Sequence, residues 1–290
     1  MVCATYWIPK MADLTINNLT VTYDTVAGPV DVVKSFSLKM GAERIGIVGE
    51  SGSGKSMTAR AIMGLVRSPG RVAVDSMVFD GLNLAQQSAA GWRHIRGRRI
   101  GMILQDPKFS LNPVMRVGQQ IAETGLLHGV FPKSEARQRV LDMLASVGVD
   151  APERVFNAFP HQLSGGIGQR VMIATMMIAS PSLIIADEPT SALDVMVRGQ
   201  VLEMMDREIR KRGMGLLMIS HDLNMVASFC DRVLVMYRGA VVDSCEAKDL
   251  FKSRHPYTQG LLSCLPTGAQ RGQKLPTIDR QLIEQFAAAS

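Results

Sequence analysis

Apolar and polar residues alternate along the chain in two rhythms. Asp13–Tyr23 (DLTINNLTVTY) repeats with period two, as a strand with one buried face does, and Val30–Met40 follows less cleanly. Arg44–Val48, Leu183–Ala186 and Leu216–Ile219 are compact apolar runs instead. A strand covered on both faces reads this way, because neither face meets water. Each run ends in a polar turn and passes into a helical pattern; after Val48 that pattern is Ser56–Val66. Strand, turn and helix in succession predict an α/β sheet with helices on its faces. Between Pro107 and Ser180 the texture changes. Val117–Leu127, Lys133–Val147 and Gly166–Ala179 read as helices with no clear strand among them, which predicts a helical subdomain over about residues 107–180.

Composition narrows the class without choosing a function. The 290 residues are 47% hydrophobic and 20% charged, which excludes a disordered or fibrous chain. The net charge of +6 suits anionic ligands, nucleic acid or an inner membrane surface alike. The longest apolar stretch, Val171 to Ala186, is interrupted by Pro181 and falls short of the about 20 residues that span a bilayer. Residues 1–10 lack the layout of a secretory signal, and Met11 begins a more regular segment, so residues 1–11 read as an N-terminal extension. Cys3, Cys230, Cys245 and Cys264 are scattered with no C-x-x-C pair, which predicts neither a zinc site nor a disulfide framework and a soluble, cytoplasmic chain. Residues 266–290 read as a mobile tail with a short helix at Gln281–Ala288. Met172, Met176 and Met177, at helical spacing, read as core.

The chemistry begins between the first compact run and the helix after it. Gly49, Glu50, Ser51, Gly52, Ser53, Gly54, Lys55 and Ser56 fit the G-x-x-x-x-G-K-[ST] pattern in the strand-to-helix context it requires. Glycines let backbone N–H groups wrap a phosphate at the positive end of the following helix. Lys55 then reaches the terminal phosphates, the Ser56 hydroxyl binds Mg²⁺, and Met57 completes the candidate nucleotide-binding set. A second strand, Leu183–Ala186, delivers Asp187 and Glu188 at its carboxyl end. Asp187 is placed to hold the metal, and Glu188 to orient or deprotonate an attacking water. Most acidic pairs after an apolar run are solvated helix starts; beside a phosphate loop they indicate a nucleoside triphosphatase.

One further segment resembles a known family. Leu163-Ser164-Gly165-Gly166-Ile167-Gly168-Gln169-Arg170 is similar to the LSGGQ signature of ATP-binding cassette (ABC) proteins. It is a second anion-binding helix start, with a serine hydroxyl and backbone N–H groups. In the family this element closes over ATP held by the opposing subunit, so the resemblance implies a dimer with two ATP molecules at its interface. It also implies an α/β P-loop NTPase fold, with a RecA-like core, an N-terminal antiparallel β-subdomain and an inserted helical subdomain, over residues 12–265. Other positions match in order. Tyr23 corresponds to the aromatic that stacks on adenine, although a tyrosine in a strand is also an ordinary packing residue. Gln105 matches the glutamine that reaches Mg²⁺ and senses the transporter. Ser191-Ala-Leu-Asp194 matches the D-loop, and His221 the switch histidine that contacts the γ-phosphate.

The run from Gln105 to Met115 looks like the QDP…SLNP segment of ATPase subunits of dipeptide, oligopeptide and nickel importers, and His255-Pro-Tyr-Thr resembles their HPYT segment. The resemblance implies an ATP hydrolase on the cytoplasmic face of the membrane. Its partners are a second ABC ATPase subunit (a paralogue or an identical copy), two permeases and, indirectly, an extracytoplasmic substrate-binding protein. Peptide uptake is the leading reading; nickel or metal-chelate uptake is the alternative. Two departures stand out. Gly168 replaces the family's usual arginine, which costs up to about 1 kcal/mol of helix propensity. Only Cys264 lies where peptide-importing relatives often carry a cysteine-rich segment, so no iron–sulfur cluster is expected. A non-transport ABC ATPase acting on nucleic acid would need zinc-binding cysteine pairs, a coiled-coil insertion or a second cassette, and the sequence shows none of these. No N-K-x-D guanine-reading motif is present either. The basic run Arg93–Arg99 could face permease or lipid headgroups or be a solvated turn, and it is given no site role.

Overall fold

A computed structural model describes residues 12–105, 110–191 and 193–265. The expected extension and tail, the helix at Gln281–Ala288, and residues 106–109 of the run after Gln105 lie outside the described residues. Strands β1 (Leu14–Thr25) and β2 (Gly28–Met40) form a long antiparallel hairpin. After β3 (Arg44–Val48) and α1 (Lys55–Ile62), β4 (Gly70–Ala73) and β5 (Ser76–Phe79) pair antiparallel with β1, and β6 (Leu82–Asn83) pairs with β5. Helix α2 (Ala89–Ile95) leads to β7 (Ile100–Ile103). Further along, the described residues form α3 (Val117–Leu127), α4 (Ala136–Ser146), α5 (Pro152–Asn157) and α6 (Gly165–Met177). Among the described residues no strand lies between β7 and β8 (Leu183–Asp187). After β8 come α7 (Val195–Arg212), β9 (Gly215–Ile219), α8 (Leu223–Phe229), the hairpin β10 (Arg232–Tyr237) and β11 (Ala240–Glu246), and α9 (Pro256–Ser263).

The second sheet runs β11-β10-β3-β9-β8-β7, parallel except for the β10–β11 hairpin. Its parallel strands are largely apolar because alternate residues enter different cores. Ile45, Ile185, Leu217 and Leu234 join the core shared with the antiparallel sheet and α1. Ile184, Leu216, Met218 and Val233 join the core beneath the helices of the other face. Period two is therefore present, hidden by burial on both sides. The apolar stretch from Val171 to Ala186 resolves into the end of α6 and the strand β8. Met172 and Met177 are fully buried and Met176 packs against the same core, as their spacing predicts.

Two helices are shorter than their patterns. The stretch Ser56–Val66 ends at Ile62, because Gly64 turns left-handed (φ 61°) and Arg96 donates to the carbonyls of Met63 (3.0 Å) and Gly64 (2.7 Å). The stretch from Lys133 becomes helical only at Ala136, after a turn that follows Pro132. Part of the basic run is thereby structural: Arg96 stops α1 and lies over the Trp92 ring, and Arg98 donates to Ala179 O at 2.9 Å. Arg93 and His94 of the same run remain exposed.

Gly46 lets α8 settle on β3, since a Cβ there would lie 2.3 Å from Val226 Cγ1. Gly46→Ala is expected to destabilise the chain by about 1–3 kcal/mol in denaturant unfolding. Adding Val226→Ala should recover part of that loss; two costs that simply add would contradict a steric cause.

Candidate functional site

Strands β3, β9 and β8 are neighbours and parallel, so their carboxyl ends open on one edge of the sheet. This is where open α/β sheets bind ligands. The loop after β3 wraps tightly. Gly49 (φ 150°) and Gly54 (φ 103°) are positions where a Cβ would lie 2.2 Å from Met236 O and 2.5 Å from Val32 O. Only glycine allows both the backbone angle and the approach. Lys55 is 8% exposed and its ammonium donates to the carbonyls of Gly49 and Glu50, both at 2.7 Å, and to Ser53 Oγ at 3.3 Å. Burial pushes its pKa down, against the opposing pull of Glu188, Asp187 and Glu50.

Asp187 ends β8, 6% exposed, and accepts a hydrogen bond of 2.8 Å from Ser56 Oγ. Burial pushes its carboxyl up; Ser56 works against the rise and the charge of Glu188 adds to it. Glu188 takes a left-handed backbone (φ 52°), held by its N–H to Ile219 O at 3.0 Å and by the Ser191 hydroxyl on its carbonyl at 3.1 Å. A non-glycine residue adopts that conformation only when its surroundings enforce it. Its carboxylate lies 2.8 Å from His221 Nδ1. The acid is enclosed and the imidazole open, with side-chain exposures of 15% and 69%.

Lys55, Glu188 and His221 border one cleft of about 470 Å³, lined also by Ser51, Gly52, Gly54, Ser56, Met57 and Gln105 and by Val32 of β2, with Asp187 behind Ser56. Val32 is absent from the sequence candidates: an apolar residue in a half-buried strand carries no chemical signal. Gly49, Glu50 and Ser53 lie behind this lining as carriers of the Lys55 contacts. Tyr23 does not line the cleft. Its ring covers Gly70, where a Cβ would lie 2.6 Å from Cζ, and its hydroxyl sits 3.8 Å from the Met57 sulfur.

Ser164, Gly165, Gly166 and Asp194 are not brought to this cleft. Ser164 starts α6, and its hydroxyl makes no capping bond to that helix. Gly165 is exposed, and Gly166 packs so closely on Val197 that a Cβ would lie 2.9 Å from Val197 Cγ1. Asp194 caps α7 by accepting from Val197 N at 3.0 Å. Gly168 is buried inside α6, and its neighbour Gln169, 1% exposed, donates to Pro189 O beside Glu188.

The expected metal residues fit Mg²⁺ in kind. Ser56, Asp187 and Gln105 offer a hydroxyl, a carboxylate and an amide oxygen, all hard donors, and the first two already converge at 2.8 Å. Among the described residues no three His, Cys, Asp or Glu side chains cluster as a self-sufficient metal site. Mg²⁺ needs none, since it takes one or two carboxylates and completes its shell with phosphates and water.

Comparison with known proteins decides the family. The family model described as ABC transporter matches residues 33–191, from β2 to Ser191. The chain belongs to the ABC transporter family. It is 44% identical over 271 residues to the dipeptide transport ATP-binding protein DppD of Escherichia coli (strain K12), covering 92% of this chain and 83% of that one. It is 43% identical over 265 residues to the oligopeptide transport ATP-binding protein OppD of Bacillus subtilis (strain 168), covering 90% and 74%. The dimeric structure of an ATP-binding cassette in a post-hydrolysis state, bound to ADP and Pi, superposes with a TM-score of 0.71 at 27% identity, covering 81% of this chain and 98% of that one. This ABC protein is an ATP-hydrolysing, nucleotide-binding transport subunit of α/β cassette fold. No helix among its described residues is long and apolar enough to cross a membrane.

Buried charge at a site of this kind costs stability. Because the folded Asp187 carboxyl is raised, the folded chain binds a proton more readily than the unfolded one there. Stability therefore falls as pH rises from the ordinary aspartate value of 3.8 through the raised value. Asp187→Asn keeps the acceptor for Ser56 and is expected to raise the thermal midpoint at neutral pH and to flatten that dependence. A midpoint below the parent's at every pH would contradict it.

Proposed function

We propose that the ABC protein energises a peptide importer as one of two ATP-binding subunits docked on two permeases at the cytoplasmic face of the membrane. The reading is supported by the likeness to dipeptide and oligopeptide transport subunits over about nine-tenths of the chain. The observation that carries the mechanism is a separation. Lys55, Ser56, Gln105, Glu188 and His221 share one cleft, while the signature serine and glycines stand outside it with an uncapped hydroxyl.

ATP binds with its phosphates in the Gly49–Ser56 loop and with its base beside Tyr23 and Met57. Lys55 exchanges its loop carbonyls for phosphate oxygens. Ser56, Asp187 and Gln105 would hold Mg²⁺, which would supply positive charge beside the terminal phosphates. The site closes only when Ser164, Gly165 and Gly166 of a second cassette cover the γ-phosphate, with Asp194 near the seam. ATP thus makes contacts in the closed pair that it lacks in the open one, and so favours closure. The helices α3 to α6 pass this motion to the permeases. Glu188, oriented by His221, draws a proton from the attacking water, and His221 and Lys55 stabilise charge as the phosphate departs. The cargo, met only by permease and binding protein, leaves no trace in these residues.

Glu188→Gln keeps the shape of the acid and removes its basicity. It is expected to lower ATP hydrolysis by about 10²–10⁴-fold, and to hold an ATP-bound dimer visible by light scattering. Rapid hydrolysis by this variant would remove Glu188 from the role.

A further inference from the structure

The HPYT segment near the end of the chain is unused by the site as described so far. Its Tyr257 opens α9 and is fully buried. The hydroxyl accepts a 3.1 Å hydrogen bond from the backbone N–H of Glu50, 207 residues away in sequence and inside the phosphate loop. The Tyr257 ring is braced by Tyr237 at 4.5 Å between centroids. Asp243 of β11 ties α9 down, accepting from Thr258 Oγ1 at 2.7 Å and from Ser253 Oγ at 2.5 Å.

The bond reaches the part of the loop that matters for phosphate. The Glu50 peptide that donates to Tyr257 precedes the carbonyl that accepts from Lys55 Nζ at 2.7 Å. A loop with glycines at positions 49, 52 and 54 has little stiffness of its own. Its first turn is fixed only by what surrounds it, and a buried backbone N–H left without a partner is costly. Tyr237 provides the contrast within the same aromatic pair, for its buried hydroxyl has no hydrogen-bond partner among the described residues.

We propose that Tyr257 is a positioning residue for the nucleotide phosphates: its hydroxyl fixes the Glu50 peptide and, through it, the set of the phosphate loop and of Lys55. The C-terminal α9 is then part of the nucleotide site's support. This rests on the reading of Gly49–Ser56 as the phosphate site.

The test uses the full chain and a fluorescent ATP analogue with Mg²⁺, with thermal midpoints measured alongside. Tyr257→Phe keeps the ring pair and removes the hydroxyl that accepts from Glu50 N. It is expected to weaken nucleotide affinity by about three- to tenfold with little change in midpoint. Tyr237→Phe, which removes an unpartnered hydroxyl, should leave affinity unchanged. Unchanged affinity in Tyr257→Phe, or equal losses in both variants tracking their midpoints, overturns the proposal while leaving the phosphate site intact. No binding by the parent chain overturns the site reading itself. Hydrogen exchange on the parent gives a check independent of either variant. The Glu50 amide should exchange slowly without nucleotide, and fast exchange there contradicts the bond.

Discussion

Burial of both faces of the parallel sheet is the constraint on which the site depends. Strands β3, β8 and β9 spend their length inside two apolar cores, so polar chemistry can emerge only where they end. Because the three are adjacent and parallel, those ends fall on one edge. The phosphate loop, the acidic pair and His221 meet there as a consequence of packing. Gly46 shows how close the tolerance is, with α8 lying where any larger side chain would stand.

Around that edge the chain holds several groups in conformations that favour function over stability. Asp187 is a buried carboxylate, Lys55 a buried ammonium turned onto backbone carbonyls, and Glu188 a non-glycine residue with positive φ. Each is unfavourable alone, and each is offset by a neighbour: Ser56 for Asp187, the loop carbonyls for Lys55, Ile219 and Ser191 for Glu188. Strain of this kind gathers where a ligand is to be held. The Gln169 contact to Pro189 O ties the signature helix to the segment carrying Glu188, so the two ends of the proposed cross-subunit site are mechanically joined within one chain.

Much of this was legible in the sequence wherever the signal is local. The phosphate loop and Asp187–Glu188 announce themselves because residue type and immediate context carry the chemistry, and the compact strands because burial on both sides erases polar positions; His221 stands out only through its resemblance to the family's switch histidine. What depends on distant chain segments was not legible. Nothing in the spacing of Val32 marks it as a wall of the cleft, and nothing near Tyr257 shows that its hydroxyl meets Glu50. Arg96 reads as part of a charged turn until its bonds to Met63 and Gly64 show it ending α1. The strands β4, β5 and β6 are short and partly exposed, and escape a pattern search for the same reason: their pairing with β1 and with each other defines them more than their residues do.

The mechanism requires one ATP to be gripped by two chains. The most direct measurement mixes Lys55→Ala chains with Ser164→Ala chains and follows ATP hydrolysis. If phosphate loop and signature act across the interface, mixed pairs contain one site built from an intact Lys55 and an intact Ser164, and the mixture regains activity that neither variant has alone. If the mixture stays as inactive as its separate components, the two elements do not complete each other's site between chains and the proposed mechanism is contradicted.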